Sequence, residues 1–219
     1  MINVLYNDEH ITVAVKPAGL LSEGEGKDCF PSLLALGLEE KCGHRVSVFP
    51  VHRLDRATEG IMVYALTKEA AAKLSEQIIG GEWNKIYTAL LTKAPEKSKD
   101  TLCDLLYYDK AKGKSFVVKK ERRGVKSAVL HYEIIGTSID EKATAVSVEL
   151  ETGRTHQIRV QFASRKMPLV GDRRYGAPAE FGNTLALCAT KLNFKHPKTS
   201  EELSFNIEPT FEYKKAPKN

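Results

Sequence analysis

Two stretches of this chain can build a helix of several turns, and most of what surrounds them reads as short strands. The helical candidates are PSLLALGLEEKCG, from Pro31 to Gly43, and KEAAAKLSEQIIGG, from Lys68 to Gly81. The first has proline in its opening turn and glycine near its end. The second is rich in helix formers, is capped by Thr67, stacks Leu74 on Ile78 at i, i+4, and stops at Gly80-Gly81. Strand-like runs outnumber them. Ile11, Val13 and Val15 alternate with Thr12, Ala14 and Lys16, and IMVYAL (61–66) is a short apolar, β-branched run. KIYTALLTK, SAVLHYEII, ATAVSVEL and LCATKLNF follow the same pattern. No regular strand–helix–strand alternation links them. The fold class expected is therefore α+β, a central mixed, largely antiparallel sheet flanked by helices and loops.

The 219 residues suit one full domain, expected over 1–219, with 213–219 a frayed tail. Apolar residues make up 42% and charged residues 28%, the balance of an ordinary soluble protein. No run approaches the roughly 20 apolar residues of a membrane helix, and the N-terminus lacks the basic-then-apolar pattern of a leader. A cytoplasmic protein without membrane contact is expected. The net charge of +5 permits an anionic partner such as RNA. Cys29, Cys42, Cys103 and Cys188 are scattered, as are the six histidines, so no metal site is expected and the thiols should be reduced and mostly buried.

Residues 52–60, HRLDRATEG, set one acid between two arginines. Asp55 follows an apolar run, VSVFPV, and precedes a buried strand, which puts it on a short loop at a sheet edge. A positive neighbour favours the ionised form of such a carboxylate. An oriented, partly dry carboxylate is a nucleophile or a base. Taken alone, the stretch reads more simply as an Arg–Asp pair fastening a turn.

A second stretch, GRTHQIRVQ at 153–161, weighs on that choice. Read as extended chain, it places Gln157 and Arg159 on one face and His156 and Ile158 on the other. Arg154, His156, Gln157 and Arg159 can all donate hydrogen bonds to phosphate or carboxylate. A solvated basic strand is the plainer alternative.

Together, HRLD-x-x-T-x-G and, about a hundred residues later, G-R-T-H-Q-I-R resemble the RluA-type family of RNA pseudouridine synthases. VAVKPAGLL (13–21), KIYTAL (85–90), PLVGDRRYG (168–176) and LCATKLNFKHP (187–197) are similar to further motifs of that family, in the same order. The resemblance implies the pseudouridine synthase catalytic fold and an isomerase that turns uridine in rRNA or tRNA into pseudouridine, without cofactor or metal. It places Asp55 on the catalytic aspartate and Arg53 on the arginine that helps displace the target nucleotide. It places Tyr87 on the tyrosine that stacks on the base, and Arg159 on the arginine that pairs with the aspartate. Arg53 and Arg56 are then expected to face RNA, joined by Arg154, His156, Gln157 and Arg173 as substrate contacts. Two positions depart from the common pattern: Glu59, where many members have serine, and Leu187-Cys188-Ala189, where many read L-H-A. The small RNA-binding domain that many relatives carry in front is not expected, and the protein is expected to be a monomer.

The chemistry agrees with that reading. Isomerisation exchanges no electrons and transfers no phosphate, so it needs no redox cofactor or nucleotide. A detached uracil must be held while it turns, and stacking on an aromatic ring is worth about 1–3 kcal/mol. Exposing a base from structured RNA costs a few kcal/mol, which arginines on the phosphates can offset. An RNA-binding module without turnover is the alternative, and a glycosidic hydrolase a further one. The latter ordinarily pairs two carboxylates, whereas the resemblance makes Asp55 the one catalytic carboxylate, beside Tyr87, which is also proposed as a base, and Arg159. Residues 110–126, strongly basic with Glu121 the one acid, read either as an arm along the phosphate backbone or as a solvated hairpin. His52 and His156 read as hydrogen-bonding scaffold, Trp83 as a core anchor, and Lys16 as a support of the pocket.

Overall fold

In the computed structural model, residues 2–216 are described. Their backbone forms twelve strands and three α-helices, as expected for an α+β protein. They are β1 (Val4–Asn7), β2 (Ile11–Lys16), α1 (Phe30–Cys42), β3 (Phe49–Pro50), β4 (Glu59–Ala65), α2 (Lys68–Ile79), β5 (Asn84–Leu91) and β6 (Lys99–Asp109). There follow β7 (Lys114–Val118), β8 (Val125–Ser138), β9 (Thr144–Leu150), α3 (Gln157–Ser164), β10 (Leu187–Lys195), β11 (Glu202–Asn206) and β12 (Tyr213–Lys215). No helix among the described residues is long and apolar enough to cross a membrane.

The chain groups into two compact units. The first comprises the described residues up to Lys85 together with Ala189–Glu208. Here β1, β2, β4 and β10 lie side by side, with β3 paired to β4 and β11 to β10. The alternation read in residues 11–16 holds, yet both faces of β2 are covered, because Thr12 and Lys16 are as buried as Ile11 and Val13. Every residue of β4 is buried, Glu59 at its start included, which is why residues 61–65 form a continuous apolar run rather than an alternating one. The core gathers Ile11, Val13, Ile61, Val63, Leu74 and Trp83. Each such aliphatic side chain removed from water contributes about 1.5–3 kcal/mol. Helix α2 begins where Thr67 accepts a hydrogen bond from the Ala70 amide, and α1 ends at Gly43 in a left-handed conformation. Both helices match the sequence expectation.

The second unit comprises Ile86–Cys188 and the described residues from Pro209. Its strand order is β5-β9-β8-β6-β7, with β12 added to β8. Residues 213–215, expected to fray, pair in register with Gly136–Ser138, so the tail closes a sheet edge there. Residues 217–219 lie outside the described residues. Of the four thiols, Cys29 and Cys188 are buried, while Cys42 and Cys103 are exposed.

The largest difference from the sequence reading is α3. The segment GRTHQIRVQ is not extended. Its chain turns through His156, at φ 56° and ψ 25°, into a helix whose residues 157–162 are all buried. Burial on every side removes the amphipathic stripe by which a helix is ordinarily read from sequence. The Gln157 side chain braces the turn ahead of the helix: its Oε1 accepts from the Arg154 amide at 3.0 Å and the Thr152 hydroxyl at 2.8 Å.

Candidate functional site

In the first unit, the Asp55 turn is built by its neighbours. The Thr58 amide donates to the Asp55 carbonyl at 2.9 Å, closing the turn. Leu54 is pinned from both sides by Ser22, whose Oγ donates to the Leu54 carbonyl at 2.7 Å and accepts from its amide at 3.0 Å. The Gly19 amide donates to the Arg56 carbonyl at 2.7 Å, and Arg56 Nε returns a bond to the Gly19 carbonyl, also at 2.7 Å. The segment KPAGLLS is thus laced onto HRLDRATEG.

Lys16 lies beneath this turn with no exposure at all. Its Nζ donates to the carbonyls of Pro17 at 2.8 Å and Leu20 at 2.9 Å, and reaches that of Arg56 at 3.4 Å. Burial lowers its pKa to about 8, against the upward pull of Asp55 and Glu59. The unfolded chain, with a lysine pKa of 10.5, binds the proton more tightly than the folded one. Stability should therefore rise with pH from about 8 towards 10.5 through this group. Lys16→Met should remove that rise, worth roughly 3 kcal/mol over the full window. Denaturant unfolding of both proteins at pH 7.5, 9 and 10 checks it, and parallel curves would refute it.

Gly60 explains the glycine of the T-x-G signature. Its φ is +131°, and a Cβ there would stand 2.5 Å from the amide nitrogen and carbonyl oxygen of Ala189 on β10. Backbone cannot yield as a side-chain tip can. Gly60→Ala is expected to cost about 3 kcal/mol or more, seen as a lower denaturation midpoint. A change below about 0.5 kcal/mol would contradict this close approach.

The arginines of the turn are outermost. Arg53 is exposed and pairs with Glu23 at 2.9 Å; Arg56 is exposed, 3.8 Å from Asp28. His52 points inward instead. Its Nε2 accepts from the Val63 amide at 3.0 Å, and its ring meets Trp83 edge-on at 5.1 Å. Burial, reinforced by the Lys85 charge, holds its pKa well below the usual histidine value. The imidazole is locked as an acceptor between the Val63 amide and the Trp83 ring.

In the second unit, Tyr87 lies on β5 opposite Val148 of β9 and is 8% exposed. Arg159 on α3 grips Asp172 with two parallel bonds, Nε to Oδ2 at 2.7 Å and Nη2 to Oδ1 at 2.8 Å. Its guanidinium carbon also lies 5.1 Å from the centre of the Tyr175 ring. The Tyr175 hydroxyl accepts from the Ser115 amide at 2.8 Å and lies 2.9 Å from His156 Nδ1. The arginine is therefore fixed by a carboxylate fork and an aromatic face together.

Asp172 was not singled out from sequence, although it lies in the PLVGDRRYG motif. The available signal was an acid in an otherwise basic closing segment. Both its oxygens are on Arg159, and only 1% of its side chain is exposed.

The remaining expected contacts separate into two kinds. Arg173 is exposed and donates to the Ala177 carbonyl at 2.9 Å, and Arg154 donates to the Ser127 carbonyl at 2.9 Å. Gln157 is turned inward, its Nε2 donating to the Val129 carbonyl at 3.1 Å. That side chain is buried and bonded to Thr152, Arg154 and Val129, where it braces the turn before α3. His156 occupies the left-handed turn before α3 and orients Tyr175. Among the described residues no group of three or more His, Cys, Asp or Glu side chains gathers as a metal site would require.

Known proteins resemble this chain over most of its length. The model of the RNA pseudouridylate synthase family matches residues 10–164. An uncharacterized RNA pseudouridine synthase of Bacillus subtilis, YhcT, is 32% identical over 203 residues, covering 91% of this chain and 66% of that protein. The dual-specificity RNA pseudouridine synthase RluA of Haemophilus ducreyi is 33% identical, covering 94% of this chain and 93% of the relative. Among solved structures, human RNA pseudouridylate synthase domain containing 4 superposes with a TM-score of 0.77 at 24% identity, over 94% of this chain and 88% of that one. That likeness bears on the fold.

Proposed function

Because the chain belongs to the RNA pseudouridylate synthase family, we propose that it isomerises uridine to pseudouridine in a structured ribosomal or transfer RNA. In this reaction the bond from the ribose C1′ to uracil N1 breaks. The ring turns, C1′ joins C5, the C5 hydrogen leaves to solvent, and N1 takes up a proton. Atoms and electrons balance without an oxidant or an energy source.

In this reading Asp55 is the carboxylate that assists the cleavage. Tyr87 supplies the aromatic face that holds the loosened base, and Arg159 supplies the positive charge that complements the aspartate. Arg53 and Arg56, exposed on the Asp55 turn, meet the RNA, as do Arg154 and Arg173. The observation that carries the proposal is the family match over residues 10–164, which contains Asp55, Tyr87 and Arg159. The rigid local settings of Asp55 and Arg159 support it, because a reacting carboxylate and its countercharge must be held in place.

The test is release of tritium from RNA labelled at uracil C5, offered as separate ribosomal and transfer pools. Release from one pool, retained base in the RNA and no free uracil are expected. Binding without release from either pool would favour an RNA-binding module, and free uracil a hydrolase.

A further inference from the structure

The basic stretch 110–126 is not absorbed by the chemistry above. It forms the β6–β7 turn, β7 itself and the connection to β8. Lys110 and Lys112 are exposed at the first end of β7, and Lys119, Lys120, Arg122 and Arg123 at the other. Counter-ions within the protein are scarce here. Lys112 lies 3.9 Å from Asp109, and no described ion pair reaches the other five. Like charges at this density repel one another, so the surface is stabilised by an anion brought to it.

The surface is also held in shape. Arg174 donates to the Gly113 carbonyl at 2.6 Å, and Lys114 Nζ donates back to the Arg174 carbonyl at 2.7 Å. The turn is thereby fastened to the short 3₁₀ segment Arg173–Tyr175. Lys114 Nζ sits 4.7 Å from the centre of the Tyr175 ring, and the Arg122 guanidinium lies 4.6 Å from that of Tyr107. Cations laid on rings over a paired hairpin lose less freedom on binding than cations on a loose tail.

We propose that the two ends of β7 form a phosphate-binding face that grips the backbone of a structured RNA without reading its sequence. The inference rests on the reading of the protein as an RNA-modifying enzyme and adds where that RNA is held. Five residues of strand at about 3.3 Å each separate the two cationic ends by roughly 17 Å. That span matches about three phosphate spacings along one strand, so both ends are engaged by a folded RNA and only one by a very short oligonucleotide such as a dinucleotide. The contacts are to phosphate, which makes their contribution salt-dependent and equal for all sequences.

The experiment compares wild type with Lys119→Glu/Lys120→Glu/Arg123→Glu and with Lys110→Glu/Lys112→Glu. All five side chains are exposed, and circular dichroism with thermal melting checks that the fold is kept. Affinity for folded transfer and ribosomal RNA fragments is measured across a salt series, alongside tritium release. The triple variant is expected to bind about 10-fold or more weakly at low salt. Its slope of log K against log salt should be shallower by about 2, with kcat/KM falling in step. A short single-stranded oligonucleotide should lose less affinity than the folded RNA. Unchanged affinity and slope would overturn the proposal. So would unchanged RNA binding with lost binding of polyglutamate, which would assign the face to an acidic polypeptide. If wild type releases no tritium while the variants still lose RNA affinity, the catalytic reading falls and the binding face stands. If wild type turns over and the variants bind RNA as it does, the face alone falls.

Discussion

Asp55→Asn is expected to bind RNA as the wild type does and to lose turnover by roughly 10³-fold or more, the scale of a group acting on the reacting bond. The substitution keeps size and shape while removing the charge. Its structural cost should be small, because main-chain and neighbouring groups hold the turn. Ser22 anchors Leu54, the Thr58 amide closes on the Asp55 carbonyl, and Lys16 bonds the carbonyls around them. Tritium release under single-turnover conditions measures the chemical step, and filter binding measures the complex. A rate within a few-fold of wild type would remove Asp55 from the reaction. Loss of rate together with an equal loss of affinity would make it a binding group.

How far the sequence led is clearest element by element. Strand β4 and helix α2 were legible because each carries its own signal: an apolar run between turn residues, and a capped stretch of helix formers. Asp55 was legible as a loop acid for the same reason. Helix α3 was not. Its inward residues include Gln157, Arg159 and Gln161, whose donor groups reach other segments of the chain, such as the Leu102 carbonyl 3.1 Å from Gln161 Nε2. A polar residue buried with a distant partner looks, in one dimension, like a polar residue in solvent. The left-handed His156 that turns the chain into α3 is equally silent, since it is a non-glycine residue in a conformation where glycine would be the ordinary signal. The role of Gly60 became readable only with Ala189 in place beside it. Local propensity thus exposed the elements, and long-range pairing concealed which side chains face inward.

That concealed pairing leads to the second large effect. Asp172→Ala should destabilise the protein by about 3 kcal/mol, because it takes the two-bond carboxylate fork from an arginine only 7% of whose side chain is exposed. Equilibrium urea unfolding measures the loss. The double variant Arg159→Met/Asp172→Leu separates two roles for the pair. With no charge left to bury, it should recover most of the stability, since an apolar pair of similar volume can replace a buried ion pair at little cost. If the pair served only the fold, turnover would return with stability. If Arg159 complements the reacting aspartate, the recovered fold should remain inactive in tritium release while still binding RNA. A stable, active double variant would therefore retire Arg159 from the mechanism. A stable, inactive one would show that Asp172 is there to hold a charge that the chemistry uses, and that the cost of burying both ions is borne for the reaction and not for the fold.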